Sequence, residues 1–390
     1  MFVRIGNTPR DYAWGSTTAI AHLLGTTPSG APEAELWLGA HPGSPARILD
    51  PAQTGGAADL AHWSETAGRL PYLLKVLAAA GPLSLQAHPS SAQARAGFKR
   101  ENAEGLAPDS PERNYKDPFH KPEMIFALSD PFDALCGFRE PAESRAALER
   151  LAGGDPAVAA FAATLDGEPE AALRRATEWL LGGAPEVAAV VDAVVAAAQA
   201  AEGTSADSVD AGTVRMLAAA FPGDPGIVLA LLLNRVALRP GDALYLPAGN
   251  IHAYLRGLGV ELMAASDNVL RGGLTPKRID VPELVSILDF APFAVTPMVR
   301  ERPAPGVEEF VPDVPDFRLA RVEVGGDVPS APVELPGTAI ALCTAGDVEL
   351  RGATGSLRLT RGEAAVVTAD ERELTVYSGG GTLFLATPNR

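Results

Sequence analysis

The hydrophobic pattern changes period twice along this 390-residue chain. Over residues 1–138, short apolar runs are punctuated by Gly and Pro: AELWLGAHP (34–42), RLPYLLKVLAAAG (69–81), PLSLQAHPS (82–90) and HKPEMIFAL (120–128). Runs of this length between turn formers predict strands. One segment, SSAQARAGFKRENAEG (90–105), predicts a helix, with Ser90 or Ser91 placed to cap its first free N–H groups. Over 139–237 the period becomes helical. AESRAALERLAG, EPEAALRRATEWLLGG, APEVAAVVDAVVAAAQAAEG and AGTVRMLAAAF are Ala-rich and carry apolar residues at helical spacing. From 238 the strands return, first in ALRPGDALYLPAGNIHAYL (237–255) and VELMAASDN. After Pro303 follow FRLARVEV, TAIALCTAG, DVELRG, SLRLTRGEAAVVTA, ERELTVYSG and GTLFLATP, an even spacing that predicts a sandwich or jelly roll. RPGDALYLPAG (239–249) resembles TRGEAAVVTAD (360–370), as two related units in tandem would. The predicted fold is mainly β with an α-helical insert. Residues 1–138 and 238–300 form one discontinuous unit, 139–237 a helical one, and 301–390 a C-terminal one.

Charge narrows the partners. With 48 acidic and 32 basic residues the net charge is −16. A uniformly acidic surface repels nucleic acid and anionic lipid, so neither is an expected partner. An anionic substrate would need a local basic pocket. No run reaches the roughly 18 apolar residues of a membrane span. The start, MFVRIGNTPRDYAWG, lacks a signal-peptide core. The expected address is the cytoplasm and the expected state a monomer. Cys136 and Cys343 are too few for a disulfide framework or a Cys-based metal site. Arginine outnumbers lysine 27 to 5, and all five lysines (Lys75, Lys99, Lys116, Lys121 and Lys277) lie in segments rich in polar motifs. The helical stretch 139–237 has no His and no Lys, and is expected to supply no metal ligand.

Candidate chemistry begins in the strand Pro82–Ser90. Alternation puts Ser84, Gln86 and His88 on one face and Leu83, Leu85 and Ala87 on the other. In Lys121–Leu128, Lys121 and Glu123 share a face; a carboxylate in so apolar a strand needs a cation, either Lys121 or a metal. Gly241, Pro247, Gly249 and His252 fall at the spacing of the second signature of the cupin barrels, where the closing His binds metal. Gln86 stands where the first cupin signature has its first His. Together Gln86, His88, Glu123 and His252 offer two imidazoles, one carboxylate and one amide oxygen. This set suits Zn²⁺ ahead of Mn²⁺ or Fe²⁺ and leaves the ion positively charged, as a Lewis acid must be. The echo at Gly362–Ala369 has Thr368 in place of the Pro and no His after it, so the C-terminal unit is expected to bind no metal.

DYAWGS (11–16), LPYLLKVL (70–77), LSLQAHPS (83–90), NYKDPFHKPEM (114–124), PAGNIHAYL (247–255) and VELMAASDNVLRGGLTPKRID (260–280) together resemble the type I phosphomannose isomerases. That resemblance implies two cupin-type jelly-roll barrels with a helical domain between them. It implies one Zn²⁺ per chain on Gln86, His88, Glu123 and His252, and an active-site arginine at Arg271. The implied reaction interconverts D-mannose 6-phosphate and D-fructose 6-phosphate through a cis-enediol, so the partner is a small sugar phosphate. Candidates for the general base are Glu261, Asp267 and Lys121, with His120 turned away by strand parity. Glu261 qualifies only if it is not locked in a salt bridge, for which Lys277 or Arg271 is the expected partner. Ser84, Lys99 and Lys277 are candidates for the phosphate and Tyr254 for the sugar wall. Two other readings compete: an iron dioxygenase of the cupin type, and a sugar-binding cupin without activity. Gln86 and the basic LRGGLTPKR argue against the first, and the complete ligand set against the second.

Overall fold

A computed structural model describes residues 1–389. Among them a nine-stranded and a ten-stranded antiparallel sheet pack back to back, with helices against part of the first. The spine of the first sheet is the thirteen-residue strand His252–Ala264. Its beginning pairs with Leu85–Ala87 and Phe132–Phe138, and its end with Tyr72–Ala79 and Glu123–Ala127. Between the halves the register shifts at Tyr254/Arg256. Gly257 turns this corner at φ 130°, where a Cβ would lie 2.7 Å from the Phe132 ring.

Each half of that strand has a different backing. Ile251, Ala253 and Leu255, with Leu85 and Ala87 beside them, enter the core built by the helices. Val260, Leu262 and Ala264, with Met124 and Phe126, enter the core shared with the second sheet. There the Phe126 ring meets Phe310 at 5.3 Å and Phe384 at 5.2 Å, edge to face. Period-two alternation therefore leaves Gln86, His252, Tyr254, Glu123 and Glu261 on the inner face. The strands are buried on both sides, which explains why their text is so continuously apolar.

The helices of the 139–237 stretch are Pro141–Ala152, Pro156–Ala162, Pro169–Leu181, Glu186–Ala201, Val209–Ala220 and the short Gly226–Leu229. Asp155, Glu168 and Ser208 cap three of them, and Pro opens the first three. The apolar run after Gly226 does not stay helical to 237. Leu233–Leu238 is a strand paired with Phe132–Phe138, because three consecutive leucines fit either period and the open edge decides. No single helix among the described residues is long and apolar enough to cross a membrane.

The second sheet holds Val307–Phe310, Arg318–Gly325, Gly380–Thr387, Ala339–Arg351 and Ala364–Val367. TAIALCTAG and DVELRG, expected as two strands, form the single strand Ala339–Arg351, which absorbs a register shift between Cys343 and Ala345. Phe2–Gly6 and Arg47–Ile48 also belong to this sheet: Phe2–Gly6 pairs with Ala364–Val367. The sequence grouped both segments with 1–138. Alternation tells which side chains point inward, but not which sheet a strand joins.

Candidate metal centre

Three strands set the first row of the site. Arg271 lies directly across from Gln86, and Gln86 directly across from His252, so the three side chains share one face. His88 follows one residue after the Leu85–Ala87 strand, shorter than the predicted 82–90, and Glu123 opens the strand Glu123–Ala127. His88, Glu123 and His252 are almost fully buried, and one donor atom from each lies within 4.8 Å of the others.

Backbone carbonyls orient both imidazoles. His88 Nδ1 lies 2.8 Å from the Asn268 carbonyl oxygen and His252 Nδ1 3.0 Å from that of Asn250. Each Nδ1 must donate there, so each Nε2 carries a lone pair. The turn that brings these elements together passes through Gly249 at φ 80°, whose N–H donates to the His88 carbonyl at 2.9 Å; a Cβ there would press on the Ile287 carbonyl at 3.0 Å.

Both lone pairs face the same carboxylate, His88 Nε2 at 3.2 Å and His252 Nε2 at 3.3 Å from Glu123. His88 Nε2 and Glu123 Oε2 are buried without a hydrogen-bond partner. Two lone pairs turned on a buried carboxylate repel unless a cation sits among them, and the donor set fits zinc. The Gln86 amide is adjacent, its Nε2 3.4 Å from His252 Nε2; turning the amide over presents Oε1 as a fourth donor. Burial first, and then the Lys121 charge, push the His88 imidazole down to about 4, which keeps it neutral and able to ligate. Burial would raise Glu123, but the Lys121 ammonium and the two imidazoles outweigh it and hold the carboxyl well below its usual range.

Charges on the inner face are closed off in pairs. Lys121 Nζ lies 3.0 Å from Glu123 Oε1. Glu261 is paired not with Lys277 or Arg271 but with Lys75, directly across on Tyr72–Ala79, at 3.1 Å; Lys75 also reaches Glu35 at 3.5 Å. Burial raises the Glu261 carboxyl, with Lys75 opposing and Glu123 adding to the rise. Tyr254, on the His252 face, has a buried hydroxyl without a hydrogen-bond partner, pushed well above its ordinary value by burial and then by Glu261 and Glu123. Lys75 is absent from the predicted site. Its signal was present: one lysine inside LPYLLKVLAAAG demands a buried partner.

Arg271 is half-buried and makes no hydrogen bond or ion pair among the described residues, and the ammonium groups of Lys277 and Lys116 are likewise unpaired. Lys277 is lowered first by the Arg271 charge, then by burial, then by Lys116. Ser84 is half-buried just before the Gln86 strand. Lys99 is exposed on the helix Ser91–Ala103, on the side away from the buried Ala94, Gly97 and Glu101. Asp267 pairs with His41 at 2.9 Å; burial would raise its carboxyl, but the hydrogen bond and charge of His41 lower it. His120 turns to Asp316 at 2.7 Å.

Residues 2–141 match the family model of the phosphomannose isomerase type I catalytic domain. The chain is 38% identical over 389 residues to the mannose-6-phosphate isomerase of Escherichia coli, covering 96% of each. It is 34% identical over 356 residues to the human mannose-6-phosphate isomerase, covering 82% of this chain and 81% of that one. A zinc-bound holo crystal structure of mannose 6-phosphate isomerase superposes with a TM-score of 0.85 at 36% identity, over 100% of both chains. A variant of phosphomannose isomerase from Salmonella typhimurium superposes with a TM-score of 0.84 at 35% identity, also over 100% of both.

Proposed function

The chain belongs to the type I phosphomannose isomerases, and from that membership we propose that it interconverts D-mannose 6-phosphate and D-fructose 6-phosphate with Zn²⁺ as cofactor. The observation that carries this reading is the inner-face row Arg271–Gln86–His252 set beside the buried His88 and Glu123. Gln86, His88, Glu123 and His252 would hold the metal, which supplies a Lewis acid for the sugar oxygens. The iron-dioxygenase and binding-protein readings are not favoured by these relatives.

The reaction moves one proton from C2 of the open-chain aldose to C1 and one between the two oxygens, through a cis-enediol. The base needs a proton affinity close to working pH. Of the candidate carboxylates, Asp267 is lowered by His41 whereas Glu261 is raised by burial. The ion pair with Lys75 at 3.1 Å does not cancel that rise, so Glu261 takes the C2 proton and returns it at C1, and Lys75 steadies the carboxylate before the first transfer and after the second. Lys121, buried beside Glu123, offers N–H donors toward the O1–O2 edge. Arg271 stays protonated and answers charge developing on the enediol. Lys277, with Ser84, holds the phosphate, and Tyr254 walls the sugar.

The same reading makes the two sheets cupin-type jelly-roll barrels, with the helices of 141–229 as a domain inserted in the first, and with 301–390, joined by Phe2–Gly6 and Arg47–Ile48, as a second barrel that holds no metal. Its support is the tandem echo of 239–249 in 360–370. A coupled assay on mannose 6-phosphate, run before and after chelation and again with zinc restored, tests the function. Full turnover without metal, or none with it, would sink the reading.

A further inference from the structure

Asn268 is fully buried in the connection between His252–Ala264 and Leu270–Gly273. Its side-chain amide is fully used. Oδ1 accepts from the backbone N–H of Lys116 at 2.7 Å and of Asp117 at 3.3 Å. Nδ2 donates to the carbonyl oxygens of Asp117 and Phe119, both at 2.8 Å, and lies 3.3 Å from Asp117 Oδ1. An asparagine has two donors and two acceptor sites, and here each finds backbone of residues 116–119. The opposite contacts complete the clamp: Asp117 accepts the Ser266 hydroxyl at 2.9 Å and the Asp267 N–H at 2.8 Å. Asn268's own carbonyl accepts from His88 at 2.8 Å, so the clamp is registered against a metal-ligand candidate.

Residues 116–119 have no regular secondary structure, so these bonds substitute for a ladder. The turn carries Lys116, and the chain just before it is held against 278–280, Arg278 donating to the Glu112 carbonyl at 3.0 Å and Asn114 to Asp280 at 2.9 Å, so Lys116 and Lys277 sit on adjacent segments and the charge of Lys116 helps lower Lys277. Without the amide, the N–H groups of Lys116 and Asp117 and the Asp117 carbonyl would lose their only partner, while the Phe119 carbonyl would keep the Ser266 hydroxyl at 3.1 Å, and the turn would move rather than leave the three unsatisfied. Aspartate could not replace it, because it would set acceptors against two carbonyls and the Asp117 carboxylate.

We propose that Asn268 is a positioning residue: its amide clamps the 116–119 turn so that Lys116 presents its ammonium to the substrate phosphate beside Arg271 and Lys277. The inference rests on the isomerase reading, so its test is binding and needs no turnover. Mannose 6-phosphate and inorganic phosphate are titrated calorimetrically into zinc-loaded wild type, Asn268→Ala, Lys116→Ala and the double variant. Each single variant should weaken mannose 6-phosphate binding about tenfold. The double should be no weaker than about tenfold, because the clamp acts only through the lysine. Losses that multiply toward a hundredfold, or an unchanged Kd in Asn268→Ala, would overturn the proposal. If Asn268→Ala does not fold, Ser266→Ala loosens the same turn through Asp117 and takes its place in the cycle, with the same outcomes deciding. A wild type that binds the sugar phosphate but does not isomerise it would end the functional reading and leave the coupling to decide the clamp.

Discussion

Gly241 at φ 95° and Gly362 at φ 89° each open a turn two residues before a four-residue strand, Ala243–Leu246 in the first sheet and Ala364–Val367 in the second. Beyond the strands the two regions part. Pro247-Ala-Gly249 leads to His252, six residues after Leu246, whereas Thr368-Ala-Asp370 leads to the exposed Glu373, six after Val367. The inner face of the first sheet bears Lys75, Glu123 and Glu261, and that of the second is filled by Val322, Ala341, Leu350, Leu383 and other aliphatics. One backbone frame accepts either filling. The polar filling is tolerated because each charge meets an opposite one, Lys75 meeting Glu261 and Glu35 from neighbouring strands and Glu123 meeting Lys121 just before its own, an arrangement that seldom adds stability. The aliphatic filling stabilises at roughly 25 cal/mol per Å² buried. The first sheet does chemistry on a frame that the second helps to hold.

Removing a ligand should break the contrast most. In His252→Ala, isomerase activity should fall on the order of a thousandfold, the scale of losing a central electrostatic stabiliser. Metal analysis should show the zinc gone. An active, metal-free variant would put the chemistry elsewhere. Next in size is Lys75→Met, which strands Glu261 and Glu35. Denaturant unfolding should show a loss of about 3–5 kcal/mol, part of it regained on adding Glu261→Gln. Wild-type stability in the single variant would mean that these charges are not closed in pairs.

Leu350→Ala makes the matching cut in the second sheet. It should cost about 2–4 kcal/mol by cavity formation and leave the kcat of the folded enzyme unchanged. A tenfold drop in kcat with zinc retained would erase the division between the sheets. The finest cut is within the cations. Arg271→Lys should lower kcat about ten- to a hundredfold with KM nearly constant, since an ammonium cannot reproduce the guanidinium fork. Lys277→Ala should raise KM about tenfold, the loss of one charged hydrogen bond. Steady-state kinetics showing the reverse pattern would exchange the two roles.

The cluster of His88, Glu123 and His252 was legible because the signals are local: His88 two residues after Gln86, Glu123 alone in an apolar strand, and His252 at a fixed distance after two glycines. Helices at 141–201 were legible because caps and period agree. What escaped depends on register. Lys75 and Glu261 lie 186 residues apart and meet only because Val260 pairs with Val76. Asn268 looks like one more turn residue until the backbone of 116–119 lies against it. Lys99 has the composition of a phosphate ligand, but helical spacing turns it outward.

The pairing of Phe2–Gly6 with Ala364–Val367 also sets a schedule. On a ribosome adding about 5–20 residues per second, roughly 20–70 s pass between the two strands. All residues around the metal have been made by then, yet Val3 and Ile5 still lack Val366 over them, and Phe126 still lacks Phe384. A nascent chain therefore holds a complete set of ligands on an unfinished support, its apolar back open to water and to chaperones. Catalytic competence should arrive as a late event of biosynthesis, timed by the emergence of a sheet whose inner face carries none of the chemistry.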